Sequence, residues 1–282
     1  MRVSPGNILK NSQPMTDISP TVTLNVALLP LAIRLTDRCA NLDAVEESLR
    51  SLPAGTDVLV LPELFSTGYT EDPQLMRDMA ETSDGPAMKR VRQWAAAYNM
   101  AVAGSFLALD GGSLYNRGFF VEPSGDTTFY DKKHLFSLSA EGSIMSPGTE
   151  AIPVIRFRGW NISMIICYDL RFPVWCRSRD YSYDLLLVPA NWPQSRGYAF
   201  EHLLIARAIE NQCAVAGCDR GGSDQYGDYD GLSQIFDSRG MPAGTISGPF
   251  VFAQLRRDKL ESYRRHFPVS RDADDFEIMV RR

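Results

Sequence analysis

The feature that most limits the fold of this chain is an alternation. From Thr21 onward, short apolar runs that suit strands trade places with longer segments of helical period. Residues 23–29, 57–61, 101–107, 114–122, 161–166, 184–188, 214–217, 232–236 and 250–255 read as strands. A Pro-Ser-Gly-Asp turn at 123–126 leads into a further one at 127–130. Between them, residues 41–52 form a helical stripe of Leu42, Val45 and Leu49 with Asn41 as its cap, and 86–98 a helix with Pro86 at its start. Residues 197–211 carry Leu203, Ala206 and Ile209 at helical spacing, and 173–180 and 258–266 are predicted helices too. No Gly/Ser linker interrupts the series. The expectation is therefore one α/β domain over residues 21–282, preceded by a flexible, polar extension over residues 1–20.

Composition narrows the partners. The net charge is −5, with 29 Lys+Arg against 34 Asp+Glu, and no dense basic patch offers itself to a nucleic acid. No run approaches the roughly 20 apolar residues that span a bilayer. The N-terminus carries Arg2 and Lys10 without a hydrophobic core, so a secretory signal is not expected. The five cysteines are odd in number and irregularly spaced, which predicts reduced thiols and a cytoplasmic protein. The three histidines, His134, His202 and His266, lie far apart, and neither a metal site nor any cofactor is expected.

Three apolar runs end on reactive or polar residues. One reaches Glu63, one reaches Cys167, and one reaches Asn191 and Trp192. Ligands of α/β sheets bind beyond the strand ends, so the three can converge on one site. Cys167 lies where a tight turn before a Pro-started helix would present its sulfur, and the helix start would favour a thiolate. A cysteine in an apolar run is as often a small buried hydrophobe, the reading that suits Cys39, Cys176, Cys213 and Cys218. A nucleophilic thiol needs a base. His134 or His202 would make a Cys–His enzyme, and Glu63 would make a carboxylate-driven one. Residues 130–136, Tyr-Asp-Lys-Lys-His-Leu-Phe, read either as an exposed basic loop or as the source of a buried cation beside the thiol. If the segment is extended, Lys132 and His134 share one face and Lys133 takes the other.

Leu61-Pro-Glu-Leu-Phe65, Tyr130-Asp-Lys-Lys-His-Leu-Phe136 and Cys167-Tyr-Asp-Leu-Arg-Phe-Pro173, in that order, resemble the nitrilase (carbon–nitrogen hydrolase) superfamily. Ser146-Pro-Gly148, Ala190-Asn-Trp192 and 206–212 match as well, so the resemblance covers about residues 21–276. It implies a four-layer αββα sandwich and a Glu-Lys-Cys triad of Glu63, Lys132 and Cys167, with Glu141 supporting Lys132. Lys132 and the backbone N–H of Tyr168 would bind the oxyanion, while His134 and Arg207 would buttress the site. Residues 167–175, 191–193 and 215–220 look most like the bacterial omega-amidase branch, which implies a short 2-oxo acid ω-amide as substrate and a thioester intermediate. Aliphatic amides, nitriles and N-carbamoyl compounds are the neighbouring substrate classes, and a catalytically silent scaffold is the rival of another kind. Phe65, Tyr69, Arg171, Asn191 and Trp192 are the expected pocket residues, with the acidic, Gly-rich 220–230 loop shaping the pocket. The resemblance also implies a homodimer or higher assembly.

Overall fold

The computed structural model describes residues 22–278, and the extension expected over residues 1–20 lies outside the described residues. The strands are β1 (Thr23–Leu28), β2 (Val58–Val60), β3 (Ala101–Asp110), β4 (Ser113–Val121), β5 (Thr127–Asp131), β6 (Ile155–Phe157), β7 (Trp160–Met164), β8 (Leu185–Ala190), β9 (Ala214–Asp219), β10 (Gly221–Asp224), β11 (Gly227–Asp230), β12 (Gln234–Phe236), β13 (Thr245–Ser247) and β14 (Phe250–Arg256). The helices are α1 (Arg38–Leu49), α2 (Pro73–Met79), α3 (Pro86–Tyr98), α4 (Glu141–Ile144), α5 (Gly197–Asn211) and α6 (Arg257–His266).

Two sheets stack face to face. One runs β13-β14-β1-β2-β3-β4-β5 and the other β12-β9-β8-β7-β6. Each has a parallel centre, β1-β2-β3 in the first and β7-β8-β9 in the second, with antiparallel strands outside. A parallel centre must be covered on both faces, which is why these strands read as continuous apolar runs. Period-two geometry then sorts their side chains. Leu24, Val26, Leu28, Val58 and Val60 face the second sheet, while Ala27, Leu29, Leu59 and Leu61 face outward onto α1 and α3. On the far side, α5 places Phe200, Leu204 and Ala208, and α6 places Leu260, against the second sheet. The layers are helix, sheet, sheet, helix, as expected.

Three local expectations need correction. The first helix is capped by Asp37, whose carboxylate accepts from Ala40 N, and not by Asn41. Asn41 is buried instead, its amide bonding Arg34 and Ser66 of the neighbouring loops. No helix forms over 173–180, where Pro173 begins only a turn. Tertiary partners claim that backbone before a second turn can close: Asn211 takes Ser178 N, and the Tyr183 hydroxyl donates to Cys176 O. Third, the 220–230 loop is a hairpin, β10 paired with β11. Helix α2 was legible in principle, because Asp72-Pro73 supplies a cap that accepts from Gln74 N and Leu75 N and a proline at the first helical position.

Candidate active site

Two strand ends from one sheet and one from the other meet a residue that follows edge strand β5. Beyond β7, Ile165 N still bonds Leu187 O, and then the chain turns sharply. Cys167 sits at φ +45°, in the left-handed region, and opens a five-residue 3-10 helix, Cys167–Arg171. For a residue with a Cβ that conformation costs about 1–2 kcal/mol. Asp169, fully buried, holds it in place. One carboxylate oxygen accepts from Ile166 N at 3.1 Å and the Tyr130 hydroxyl at 2.8 Å, and the other meets the N–H and Nδ1 of His134 at 2.8 Å each. The thiol turn and the lysine segment are thus tied through one carboxylate. Arg207 donates to Leu170 O at 2.5 Å from the opposite side.

Lys132 follows β5 and continues its ladder, with its N–H bonded to Asn116 O. Its ammonium is buried and donates to Glu63 Oε1 at 2.8 Å and to both oxygens of Glu141 at 2.8 and 3.1 Å. Burial by itself would lower the Lys132 pKa, but the Glu141 and Glu63 carboxylates outweigh it and hold the group well above its ordinary value. Glu141, the first residue of α4, also accepts from Phe136 N at 2.6 Å. Glu63 accepts from the Asn116 amide at 2.7 Å through one oxygen and from Asn191 N at 2.9 Å through the other. Behind this cluster Gly148 is obligatory. Its N–H bonds Lys132 O, and a Cβ there would lie 2.0 Å from Asp131 O, closer than any side chain can approach.

The Cys167 sulfur lies 3.9 Å from Asn191 O. Burial pushes the thiol well above its ordinary pKa, the Glu63 carboxylate pushes it further, and Lys132 opposes both without winning. Burial beside Glu63 therefore favours the thiol over the thiolate. The helix whose start was expected to favour a thiolate does not form, since Pro173 begins only a turn. The rate of Cys167 alkylation by iodoacetamide should accordingly lack the rise near pH 8.5 that an ordinary thiol shows. Peptide-resolved mass spectrometry checks this, with a free small thiol in the same buffer as control. A Cys167 rate that rises through that range would contradict the assignment.

The thiol opens into a cavity of about 230 Å³, smaller than the roughly 300–1,000 Å³ that hold drug-sized ligands. Glu63, Lys132, Glu141, Cys167 and Tyr168 line it, together with four of the five expected pocket residues, Tyr69, Arg171, Asn191 and Trp192. Phe65 is not in the cavity. Leu64 takes φ +50°, and after that reversal Phe65 packs into the helical layer with its ring 5.8 Å from Phe119. The Tyr69 hydroxyl is buried with no hydrogen-bond partner among the described residues, and desolvation raises its pKa to about 12, so it is a neutral donor at the cavity wall. The 220–230 hairpin contributes Tyr226 and Tyr229. It is latched by Tyr226, whose hydroxyl accepts from Glu71 N at 2.8 Å and bonds Thr70 Oγ1 at 3.0 Å.

Neither histidine considered as a base touches the sulfur. His134 stacks on Phe172 and pairs with Asp169, and His202 is exposed on α5 with its ring bonded to Tyr198 O. Sequence reasoning missed Asn116 and Asp169. An asparagine among the apolar residues of β4 was a usable signal, since asparagine is depleted in strands. Asp169 stands in the matched Cys167–Pro173 motif, but its bracing of the lysine segment was hidden because Tyr130 and His134 lie 39 and 35 residues away.

Residues 25–265 match the carbon–nitrogen hydrolase family. The chain is 38% identical over 264 residues to the omega-amidase YafV of Escherichia coli K12, covering 90% of this chain and 98% of that protein. It is 34% identical to the 2-oxoglutaramate amidase of Bacillus subtilis 168, covering 77% and 84%. Its fold superposes with TM-score 0.86 on XC1258 from Xanthomonas campestris, a CN-hydrolase superfamily protein crystallised with an arsenic adduct in its active site. That alignment is 34% identical and covers 91% of this chain and 99% of the other.

Proposed function

The chain belongs to the carbon–nitrogen hydrolase family, and from that premise we propose that it is an omega-amidase, hydrolysing the terminal amide of short acids such as 2-oxoglutaramate. The observation that carries the reading is a buried Glu63–Lys132–Cys167 cluster that opens on one small cavity. Its likeness to an omega-amidase and a 2-oxoglutaramate amidase supports the substrate class.

The chemistry follows from the resting charges. Glu63 takes the thiol proton as sulfur attacks the amide carbonyl, which avoids a standing thiolate in a site that disfavours one. The oxyanion is met by the Lys132 ammonium and by Tyr168 N–H, which belongs to the first N–H groups of the 3-10 turn and has no acceptor within it. Glu63 returns the proton to the leaving nitrogen, the C–N bond breaks, and ammonia departs from a thioester. Water then attacks the thioester with Glu63 as base, the C–S bond breaks, and the acid leaves with the thiol restored. Glu141 keeps Lys132 charged and aimed. We extend the proposal to a cytoplasmic homodimer or higher assembly, with exposed Tyr198 and Ile209 on α5 as an apolar face that a second copy would cover.

An ammonia-release screen tests the substrate class. Its panel is 2-oxoglutaramate, a neutral amide of equal length, the matching nitrile and an N-carbamoyl compound. The expected result is a kcat/KM at least about tenfold higher on the ω-amide than on the rest. Preference for any other member would refute the omega-amidase reading.

A further inference from the structure

The cavity has two chemically different ends. Around the thiol, the resting charges are paired with one another, Lys132 with Glu63 and Glu141. At the rim, Arg171 and Arg196, both solvent-exposed, line the same cavity and form no ion pair with any described residue. Each lies over an aromatic ring, Arg171 at 4.8 Å from the centroid of Trp192 and Arg196 at 5.3 Å from that of Phe136.

We propose that Arg196, acting with Arg171, forms a two-guanidinium rim that holds the carboxylate of the substrate, and that Arg196 is a specificity-determining residue for acid ω-amides over neutral amides. The assignment rests on the omega-amidase reading above and adds to it the residues that select the acid. A guanidinium held over an aromatic ring still has N–H groups for a planar acceptor, and a carboxylate matches their edge in two places at once. The rim is also one connected unit. The Trp192 indole N–H donates to Arg196 O at 2.9 Å, so the ring beneath Arg171 is anchored to the backbone of the second arginine. Arg196 immediately precedes α5 and stands at the positive end of a fifteen-residue helix, which further favours an anion there. Outside the Glu63–Lys132–Glu141 cluster, Glu71 is the one carboxylate of the lining, so the two arginines leave the mouth net positive in a chain of net charge −5.

The test compares wild type and Arg196→Gln on 2-oxoglutaramate and on a neutral amide of the same length. A hydrogen-bonded charge contributes about 1.5–3 kcal/mol, so the acid-to-neutral ratio of kcat/KM should fall by about 10- to 100-fold, mainly through KM. Arg196→Lys should fall between the two. A second readout needs no turnover. Glutarate should slow iodoacetamide labelling of Cys167 in wild type, and its half-protecting concentration should rise by a similar factor in Arg196→Gln. If wild type prefers the acid amide while Arg196→Gln keeps that ratio and that protection, the rim is wrong and the omega-amidase reading survives. A wild-type enzyme with no preference for the acid would overturn both.

Discussion

Replacing Cys167 with alanine is expected to cut ammonia release from ω-amides by about 10⁴-fold or more, the scale seen when a covalent nucleophile is removed. The loss should be chemical and not structural. The turn that carries Cys167 is held by Asp169 through Ile166 N, Tyr130 and His134, none of which touches the sulfur. Thermal unfolding and near-ultraviolet dichroism of the variant should therefore match wild type, with a stability change of about 1 kcal/mol or less from the small volume removed. Glu63→Gln should lose comparable activity, since it deletes the proton acceptor that a high-pKa thiol requires. His134→Ala or His202→Ala should not mimic it. Undiminished turnover by Cys167→Ala would end the thioester mechanism, and collapse on His202→Ala with survival of Glu63→Gln would favour a cysteine–histidine enzyme.

The second large effect concerns Lys132. Methionine at this position fills similar space but leaves Glu63 and Glu141 facing each other, buried, without the cation between them. Removing one member of a buried ionic group costs about 3–5 kcal/mol, because the partners stay desolvated and unpaired. Lys132→Met should be destabilised on that scale at pH 7 and should lose at least about 10³-fold in kcat with its oxyanion donor. It should also gain stability relative to wild type on acidification, because one proton taken up by the carboxylate pair relieves the repulsion. Urea unfolding at pH 7 and pH 5 measures this. A variant of wild-type stability at both pH values would show that Lys132 is not the charge that holds the pair.

Much of the fold was legible because its central strands are buried on both faces. Such strands must be apolar throughout, and their order with the intervening helices could be read directly. The failures share a cause. Residues 173–180 have the local signature of a helix start, but Asn211 and other distant partners take the backbone groups a helix needs. Phe65 lies in a matched motif, yet the positive φ at Leu64 turns it from the cavity into the core. Asn41 has the chemistry of a cap and serves instead as a buried brace between loops.

The sequence by itself determined the kinds of groups present and the strand ends where they emerge. Glu63 and Cys167 stood out because a strand end is a local event, while the roles of Lys132 and Glu141 came from the family resemblance. Only the tertiary structure decided what those groups are worth to one another. Charge state and function depend on distances between residues far apart in the chain: Glu63 to Lys132 across 69 positions, and Asn191 to Glu63 across 128. Burial beside Glu63 raises the Cys167 pKa, although the same residue at an exposed helix start would favour the thiolate. The placement of Arg171 and Arg196 in one cavity wall has the same origin, because electrostatic meaning arises from proximity and desolvation, which no local pattern encodes.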